Sequence, residues 1–189
     1  SFEENIFLNI LDVGCGDGAT EFFMQQYFSQ WLIQGIDVSA ESIRLATHKK
    51  LHRADFSVYD GSQIPFEAEK FDIVFIAGVL HHIDYSLHSN LIKEIYRVLK
   101  TGGRLYLFEH NPLNPVTKYL VNTCVFDNEA RLLKNDYTSA LLRREYFKIN
   151  TKKFIIFFPR KGILSKLVFL EKYLQWLPLG GQYFIRSLK

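Results

Sequence analysis

An apolar run that ends in a glycine-rich turn constrains this chain more than any other feature. Residues 10–18 have the sequence Ile-Leu-Asp-Val-Gly-Cys-Gly-Asp-Gly, and a helical pattern follows directly. Glycine is needed where the backbone takes a positive φ angle or where a ligand lies against bare main chain. A strand that enters such a turn and opens a helix is typical of open parallel sheets, which bind ligands at this point. We therefore expect a binding site at the end of the first strand.

The same alternation of strand and helix continues along the chain. We predict strands over residues 9–13, 33–37, 56–59, 71–77, 104–109, 153–158 and 182–188. Helical patterns occupy residues 19–29, 40–51, 87–99, 136–147 and 163–177. The apolar run at 73–76 is unbroken, which is typical of a strand covered on both faces. The pattern predicts an α/β fold with a doubly wound, mostly parallel sheet.

Length and composition favour one globular unit. The chain has 189 residues, of which 48% are hydrophobic and 23% charged, close to ordinary globular usage. We therefore expect a single domain over residues 1–189. The first residues, Ser-Phe-Glu-Glu, include no initiator Met, so whether other residues precede them stays open. No apolar run reaches the roughly 18 residues that a transmembrane helix needs.

The chain has two cysteines, Cys15 and Cys124. Cys15 lies between two glycines of the tight turn, where a disulfide would disturb the backbone. We therefore expect two reduced thiols, which favours a cytoplasmic protein.

Two carboxylates follow the second and third predicted strands. Asp37 ends the second strand, and Asp60 follows the third. Because the carboxyl ends of parallel strands meet at one edge of a sheet, both acids are expected beside the glycine turn. A carboxylate at Asp37 can accept the hydroxyls of a ribose, and one at Asp60 can accept an adenine amino group. A dinucleotide enzyme also places an acid after the second strand, but its third glycine comes one residue later than Gly18.

Together these motifs resemble those of the class I S-adenosylmethionine-dependent methyltransferases, in particular the branch that includes ubiquinone-biosynthesis methyltransferases. The similarity runs collinearly from residue 10 to about residue 109. The matching segments are Leu-Asp-Val-Gly-Cys-Gly-Asp-Gly (11–18), Gly-Ile-Asp-Val-Ser (35–39), Asp-Gly-Ser (60–62) with Ile-Pro-Phe (64–66), Phe-Asp-Ile-Val (71–74) with Val-Leu-His-His-Ile (79–83), and Arg-Val-Leu-Lys-Thr-Gly-Gly (97–103). The resemblance implies a Rossmann-like, seven-stranded sheet of order 3-2-1-4-5-7-6 with an antiparallel seventh strand.

The resemblance also implies S-adenosyl-L-methionine as the cofactor. It assigns these residues to the cofactor site: Asp12, Gly14, Cys15, Gly16, Gly18, Asp37, Val38, Asp60, Gly61, Ser62 and Gly78. The amides of residues 14–18 can bind the cofactor's carboxylate near a helix N-terminus. Asp12 can offset its ammonium group, directly or through water. Residues 1–109 are thus the expected cofactor-binding half, and residues 110–189 the substrate-side half.

Candidate catalytic residues follow the fourth and fifth strands. His81 and His82 come after the fourth strand, and Glu109 and His110 come at the end of the fifth. Methyl transfer needs a nucleophile aligned with the S–CH₃ bond, and a hydroxyl nucleophile also needs a base. We predict His82, Glu109 and His110 as catalytic residues and His81 as structural; for His82, orientation of the loop stays an alternative role. No spacing typical of metal ligands is visible.

The C-terminal part departs from the family pattern. Residues 140–189 hold 11 Lys and Arg against two acids, which favours anionic partners, with a solvated surface as the alternative. The prolines at 112 and 115 predict a loop over the active-site mouth, which extends to residue 127. A helix over 163–177, inside an insertion at about 159–181, has a wide apolar stripe. Burial against the sheet, a dimer contact, a lid and a membrane-surface helix are all open interpretations of that stripe.

These features favour a small-molecule or lipid-linked acceptor, methylated at oxygen or carbon. The segment Gly-Val-Leu-His at 78–81 lacks the Asn/Asp-Pro-Pro-Tyr/Phe pattern, which argues against methylation of amide or exocyclic amino groups. Nucleic acid is disfavoured because no nucleic-acid-binding module is present. An anionic acceptor, peripheral membrane contact, and a monomeric or homodimeric state stay open. The alternatives to methyl transfer are a nicotinamide-dependent oxidoreductase and a non-catalytic cofactor-binding module.

Overall fold

The computed structural model describes residues 7–124 and 130–189, which build a seven-stranded sheet of order β3-β2-β1-β4-β5-β7-β6. The strands are β1 (Asn9–Val13), β2 (Leu32–Asp37), β3 (Ala54–Val58), β4 (Phe71–Ala77), β5 (Leu99–His110), β6 (Lys148–Ile155) and β7 (Gln182–Leu188). The pairs among β1 to β5 are parallel, and β7 is antiparallel to both of its neighbours. The predicted fold class and strand order are confirmed.

Six α-helices connect the described strands: α1 (Ala19–Tyr27), α2 (Ala40–His48), α3 (Tyr85–Val98), α4 (Pro115–Thr123), α5 (Asn135–Arg144) and α6 (Glu171–Leu174). Short 3₁₀ helices cover Leu80–His82 and Ile163–Leu170. Side-chain oxygens of Ser39 and Asp84 accept main-chain N–H groups at the starts of α2 and α3, which satisfies donors that a helix start otherwise leaves unpaired. Within the described ranges, no helix is both long enough and apolar enough to cross a membrane.

The core lies on both faces of the sheet. Ile10 belongs to a small cluster with Trp31 and Ile33, whereas the next residue, Leu11, belongs to the larger cluster that includes α3. Successive residues of a strand point to opposite faces, so both faces of β1 are buried. This explains why the inner strands are apolar without alternation.

Some predicted element boundaries are wrong. The third strand begins at Ala54 rather than at residue 56, and the fifth begins at Leu99 rather than at residue 104. The sixth strand covers 148–155, not 153–158. Its register explains the shift, because β7 pairs with β6 from Lys148 through Ile155 and offers no partner beyond that residue.

The predicted loop at the mouth contains a helix, α4. The Asn114 side chain accepts the Thr117 N–H at 2.9 Å, and Pro115 occupies the first turn; both are helix-start signals. The last part of the predicted loop, residues 125–127, lies outside the described residues.

The predicted helix over 163–177 is also wrong in form. It is a 3₁₀ helix to Leu170 followed by a single α-turn that ends at Leu174. None of the residues from Ile163 to Leu174 is fully buried, but Leu167, Leu170, Leu174 and Leu177 of the apolar stripe are half-buried. This stripe is therefore partly covered, whereas Phe169, Tyr173 and Trp176 beside it are exposed.

Candidate active site

The three glycines of the turn after β1 have two different roles. Gly14, Gly16 and Gly18 have φ angles of 76°, 55° and 79°, which only glycine adopts readily. A Cβ at Gly14 would lie 2.3 Å from Cγ2 of Val79, and one at Gly18 would lie 3.0 Å from Cβ of Ala46. A Cβ at Gly16 would have no atom within 4 Å. Gly14 and Gly18 therefore allow close packing, and Gly16 leaves its main chain open to a ligand.

Asp37 ties the glycine turn to the end of β2. One carboxylate oxygen accepts the Gly16 N–H at 2.9 Å, and the other accepts the Ser39 N–H at 2.8 Å. The carbonyl of Ile36 accepts from both Gly14 and Cys15. A carboxylate offers about four acceptor positions, so Asp37 keeps capacity for two ribose hydroxyls while it holds the turn.

Asp60 lies beyond the end of β3 and is exposed. Its oxygens accept the Ser62 hydroxyl at 2.7 Å and the Ser62 N–H at 2.8 Å. These hydrogen bonds lower the pKa of Asp60, with the Ser62 hydroxyl as the largest cause. The next residue, Gly61, has φ 78°, and a Cβ there would lie 3.3 Å from Val38. Asp60 thus remains an ionised acceptor beside the exposed apolar side chain of Val38.

A cleft of about 760 Å³ runs along this edge of the sheet. Eight of the eleven predicted cofactor residues line it, namely Gly14, Gly16, Asp37, Val38, Asp60, Gly61, Ser62 and Gly78. His82, a predicted catalytic residue, lines it too. The other three, Asp12, Cys15 and Gly18, are buried behind the turn. The predicted cofactor residues therefore either line this one cleft or lie in the buried layer behind the glycine turn.

A buried carboxyl pair lies behind the turn. Asp12 is 2% exposed and Glu21 is fully buried. Burial raises the pKa of Asp12 well above its usual value, and the neighbouring Glu21 raises it further. Burial likewise raises the pKa of Glu21. In the described chain no donor other than Asp12 reaches Glu21, so one carboxyl of the pair keeps a proton that it donates to the other. The remaining negative charge offers a place for positive charge nearby.

Sequence reasoning missed Glu21, and it also missed cleft residues such as Tyr59, Ser42 and Asn90. Glu21 stands in the first turn of α1, where an acid is ordinarily a solvent-exposed partner of the helix dipole. Asn90 lies on α3, thirty residues after Asp60, and donates to the Ser62 carbonyl at 2.8 Å. No local pattern gives either placement, because both depend on contacts between distant segments.

Glu109 lies below the cleft rather than in it. It is 1% exposed, and one of its oxygens accepts the N–H groups of both Val79 at 3.1 Å and Leu80 at 2.8 Å. His81 Nδ1 lies 2.6 Å from its other oxygen. With all of these partners, Glu109 holds the turn after β4 and the His81 ring in place. The geometry argues against the direct substrate contact that the sequence predicted for Glu109.

The three histidines at the ends of β4 and β5 form one cluster. The buried His81 ring lies 4.1 Å from the His82 ring and 5.2 Å from the His110 ring, between centroids. His82 is exposed and His110 is partly exposed. Glu109 thus orients His81, and His81 supports the two rings that face outward.

A second cleft, of about 470 Å³, opens on the other side of the turn after β4. His82, Ile83 and Asp84 line both this cleft and the first one. Arg131 also lines it, and the Arg131 N–H donates to the His81 carbonyl at 2.8 Å. A molecule in the second cleft would therefore meet His82 next to the first cleft, with a cation beside it.

Comparison with known proteins identifies the family. Residues 10–103 match a family model described as a methyltransferase domain. The uncharacterized methyltransferase YcgJ of Bacillus subtilis is 30% identical over 118 residues, which are 60% of this chain and 45% of that protein. The mitochondrial ubiquinone biosynthesis O-methyltransferase of Candida albicans is 35% identical over 109 residues, 53% of this chain and 32% of that protein.

A solved structure agrees in fold. A SAM-dependent methyltransferase from Methanosarcina mazei superposes with a TM-score of 0.72 at 22% identity, over 100% of this chain and 94% of that chain. The chain spans less than half the length of the curated relatives it matches. Through residues 10–103 it belongs to the family described as a methyltransferase domain, and its fold is that of solved SAM-dependent methyltransferases.

Proposed function

We propose that this chain binds S-adenosylmethionine in the 760 Å³ cleft and transfers its methyl group to a small-molecule or lipid-linked acceptor, at oxygen or carbon. One observation carries the proposal. Eight residues assigned to the cofactor from sequence motifs alone line a single cleft at the carboxyl edge of the sheet, which is where open α/β sheets bind ligands. The relatives include an O-methyltransferase, which favours oxygen as the acceptor atom.

The residues of the cleft fit the chemistry of this cofactor. The open main chain at Gly16 lets a carboxylate approach the N-terminus of α1 closely. In this proposal Asp37 accepts the ribose hydroxyls and Asp60 accepts the adenine amino group, while Val38 supplies the apolar surface beneath the ring. The buried pair of Asp12 and Glu21 suits the methionine ammonium, because a cation nearby would compensate the second negative charge of the pair.

The acceptor side supplies alignment and a base. When bound, S-adenosylmethionine supplies a methyl group already activated by the sulfonium. His82 lines both clefts, so its imidazole is placed to take a proton from an acceptor hydroxyl in the second cleft. His110 is a second base candidate on the neighbouring strand. In the second cleft Arg131 lies 3.8 Å from Asp84, so this pair contributes no net charge there. Glu109 positions the histidines through His81.

We also propose that residues 1–189 act as one domain. β7 belongs to the substrate-side half and pairs along β5 of the cofactor-binding half from Arg104 to His110. The second half therefore completes the sheet of the first, which supports a single cooperative unit.

Calorimetric titration with S-adenosylmethionine and, separately, with NADH tests the cofactor. We expect heat of binding for S-adenosylmethionine alone. Binding of NADH alone would instead support the nicotinamide-dependent oxidoreductase, and binding of neither would refute the cleft assignment.

A transfer assay with methyl-labelled cofactor tests the reaction. Extracted small molecules and lipids serve as the acceptor pool, and label is expected to appear in a product that the His82→Ala and His110→Ala variants form more slowly. These variants are expected to bind the cofactor as the unaltered chain does. Cofactor binding with no labelled product from any pool would support the non-catalytic binding module, and full activity in both variants would refute the base assignment.

A further inference from the structure

The connection between β6 and β7 leaves the sheet beside the candidate active site. Gln182, the first residue of β7, pairs with His110 at the end of β5 and with Ile155 at the end of β6. Residues 156–181 therefore emerge at the sheet edge that carries His110. Whatever this connection contacts lies close to the acceptor side of the site.

Helix α4 is joined to the same connection by hydrogen bonds. The Asn111 side chain donates to the carbonyls of Gly180 at 2.8 Å and Pro178 at 3.2 Å. The Asn114 side chain donates to the Leu179 carbonyl at 2.6 Å, and the Thr117 hydroxyl donates to the Gly181 carbonyl at 3.0 Å. Helix α4 and the end of the connection thus form one surface, which we call the mouth surface and define as residues 113–120 and 156–179.

The mouth surface concentrates exposed apolar side chains. It holds eleven of the 22 exposed large hydrophobic residues in the described chain: Leu113, Val116, Tyr119, Leu120, Ile156, Ile163, Leu164, Phe169, Tyr173, Trp176 and Leu179. Trp176 is 75% exposed, and Ile163 is 81% exposed. Such a concentration of exposed apolar side chains is typical of a contact with a partner or a membrane.

The charge of the mouth surface is positive and almost unopposed. Its charged residues are Lys118, Arg160, Lys161, Lys166 and Lys172 against the single acid Glu171. The five cations are exposed. Glu171 faces inward, because its carboxylate accepts the N–H groups of Phe157 and Phe158, both at 3.1 Å. A surface that combines Trp, Tyr and aliphatic residues with lysines is complementary to an anionic lipid bilayer.

We propose that the mouth surface binds an anionic phospholipid bilayer, so that the acceptor reaches the site from the membrane. The aromatic and aliphatic side chains enter the interface between headgroups and acyl chains, and the lysines contact the headgroup phosphates. The inference rests on the proposed function, because the bilayer is taken as the source of the methyl acceptor. It narrows the acceptor to an amphiphilic molecule. Its test measures lipid binding alone.

Sedimentation with vesicles tests the contact. The probes are vesicles of phosphatidylcholine with one third phosphatidylglycerol, and vesicles of phosphatidylcholine alone, each at low and high salt. We expect binding to the anionic vesicles at low salt, release at high salt, and little binding to the neutral vesicles. Failure to bind anionic vesicles at low salt would overturn the proposal.

Two triple variants distinguish binding through the mouth surface from attraction to positive charge elsewhere on the protein. Changing Lys161, Lys166 and Lys172 to Glu is expected to weaken vesicle binding by roughly 100-fold, because each Lys near an anionic surface contributes about fivefold. The matched control changes three exposed cations elsewhere, Lys93, Arg143 and Lys148, to Glu and is expected to keep most of the binding. Equal loss in both variants would overturn the proposal.

Tryptophan fluorescence locates the contact. The chain has two Trp residues: Trp31 is 6% exposed and stacked on Phe28, whereas Trp176 is exposed on the mouth surface. Anionic vesicles are expected to shift the emission to shorter wavelength, and the Trp176→Phe variant to lose that shift. The same shift without lipid, rising with protein concentration, would show that a second copy covers the surface and would overturn the proposal. Cofactor titration without vesicles tests the proposed function separately.

Discussion

The two sides of the candidate site are built differently. On the cofactor side, short turns after β1, β2 and β3 carry the polar groups, and main-chain N–H groups fix Asp37 and Asp60 directly. On the acceptor side, Glu109 is buried beneath the site and holds the histidines from below, while the outer wall is an exposed insertion. The comparison teaches that most polar groups of the cofactor side lie in short turns that local sequence patterns predict, whereas the acceptor side depends on contacts between distant segments.

Gly14→Ala is expected to have the largest effect. The left-handed backbone costs about 1–2 kcal/mol, and the new Cβ, 2.3 Å from Val79, adds about 1–3 kcal/mol of overpacking. Gly102→Ala is the matched control, because Gly102 has φ 78° and open space around it. Chemical denaturation is expected to show a loss of about 2–5 kcal/mol for the first variant and about 1–2 kcal/mol for the control. Equal losses would contradict the close packing of the turn.

Glu109→Gln tests the acceptor side. The amide oxygen of Gln can still accept the Val79 and Leu80 N–H groups, which share one oxygen of Glu109, but its NH₂ group would face His81 Nδ1. Loss of the charged acceptor for the buried His81 ring is expected to cost about 2–3 kcal/mol in unfolding free energy. We expect kcat to fall and its pH profile to shift, with the cofactor Kd unchanged. Glu145→Gln is the control, since Glu145 is equally buried but lies at the end of α5 and accepts from Ser89. Unchanged kcat in Glu109→Gln would remove its positioning role.

Asp37→Asn tests the cofactor side. Loss of a charged acceptor for the ribose is expected to weaken S-adenosylmethionine binding by roughly 10- to 100-fold, measured by calorimetry. Stability is expected to change less, because the amide oxygen can still accept one main-chain N–H. Asp55→Asn is the control, as Asp55 is exposed on β3 and contacts the Gln34 side chain. An unchanged Kd in Asp37→Asn would place the ribose elsewhere.

Glu21→Gln has the smallest expected effect, and its sign depends on pH. Folding raises the pKa of Glu21, so the folded state binds more protons above the ordinary carboxyl value near 4, and stability falls as the pH rises toward the raised value. The amide removes this loss and can donate to Asp12. We expect the variant to match the unaltered chain near pH 4 and to exceed it by about 1 kcal/mol near pH 8.

Melting curves across this pH range provide the measurement, with the exposed Glu67→Gln as the control. If the stability of the Glu21→Gln variant, relative to that of the unaltered chain, fell as the pH rose, the raised pKa of Glu21 would be contradicted.

The difference between the cofactor side and the acceptor side also explains which features of the structure could be predicted from the sequence. The bounds of β1, β4 and β7 agree with their predictions, and so does the sheet order. Eight of the eleven residues predicted for the cofactor site line one cleft. The strand bounds rest on apolar runs and the cleft on glycine turns, whose geometry is set within a few residues, whereas the sheet order followed from the resemblance to the family. Even α4 had local signals in Asn114 and Pro115, although the prolines favoured the prediction of a loop.

The other features of the site and of the insertion could not be predicted from local sequence patterns. The inward placement of Glu109 and Glu21 depends on segments about thirty residues away or on the packing of α1 against β1. The 163–177 segment has helical spacing. Its Glu171 carboxylate, however, accepts the N–H groups of Phe157 and Phe158, and the spacing alone does not predict this contact. Periodicity could not distinguish an apolar stripe that is buried from one that is exposed.

A crystal structure of the chain with S-adenosylhomocysteine, the product form of the cofactor, tests the central claim most directly. The account predicts the ribose hydroxyls on Asp37, the adenine between Val38 and Asp60, and the homocysteine end at Gly16 in front of Asp12. Binding of the nucleoside at another surface, or a cleft that stays empty when the compound is saturating, would contradict it.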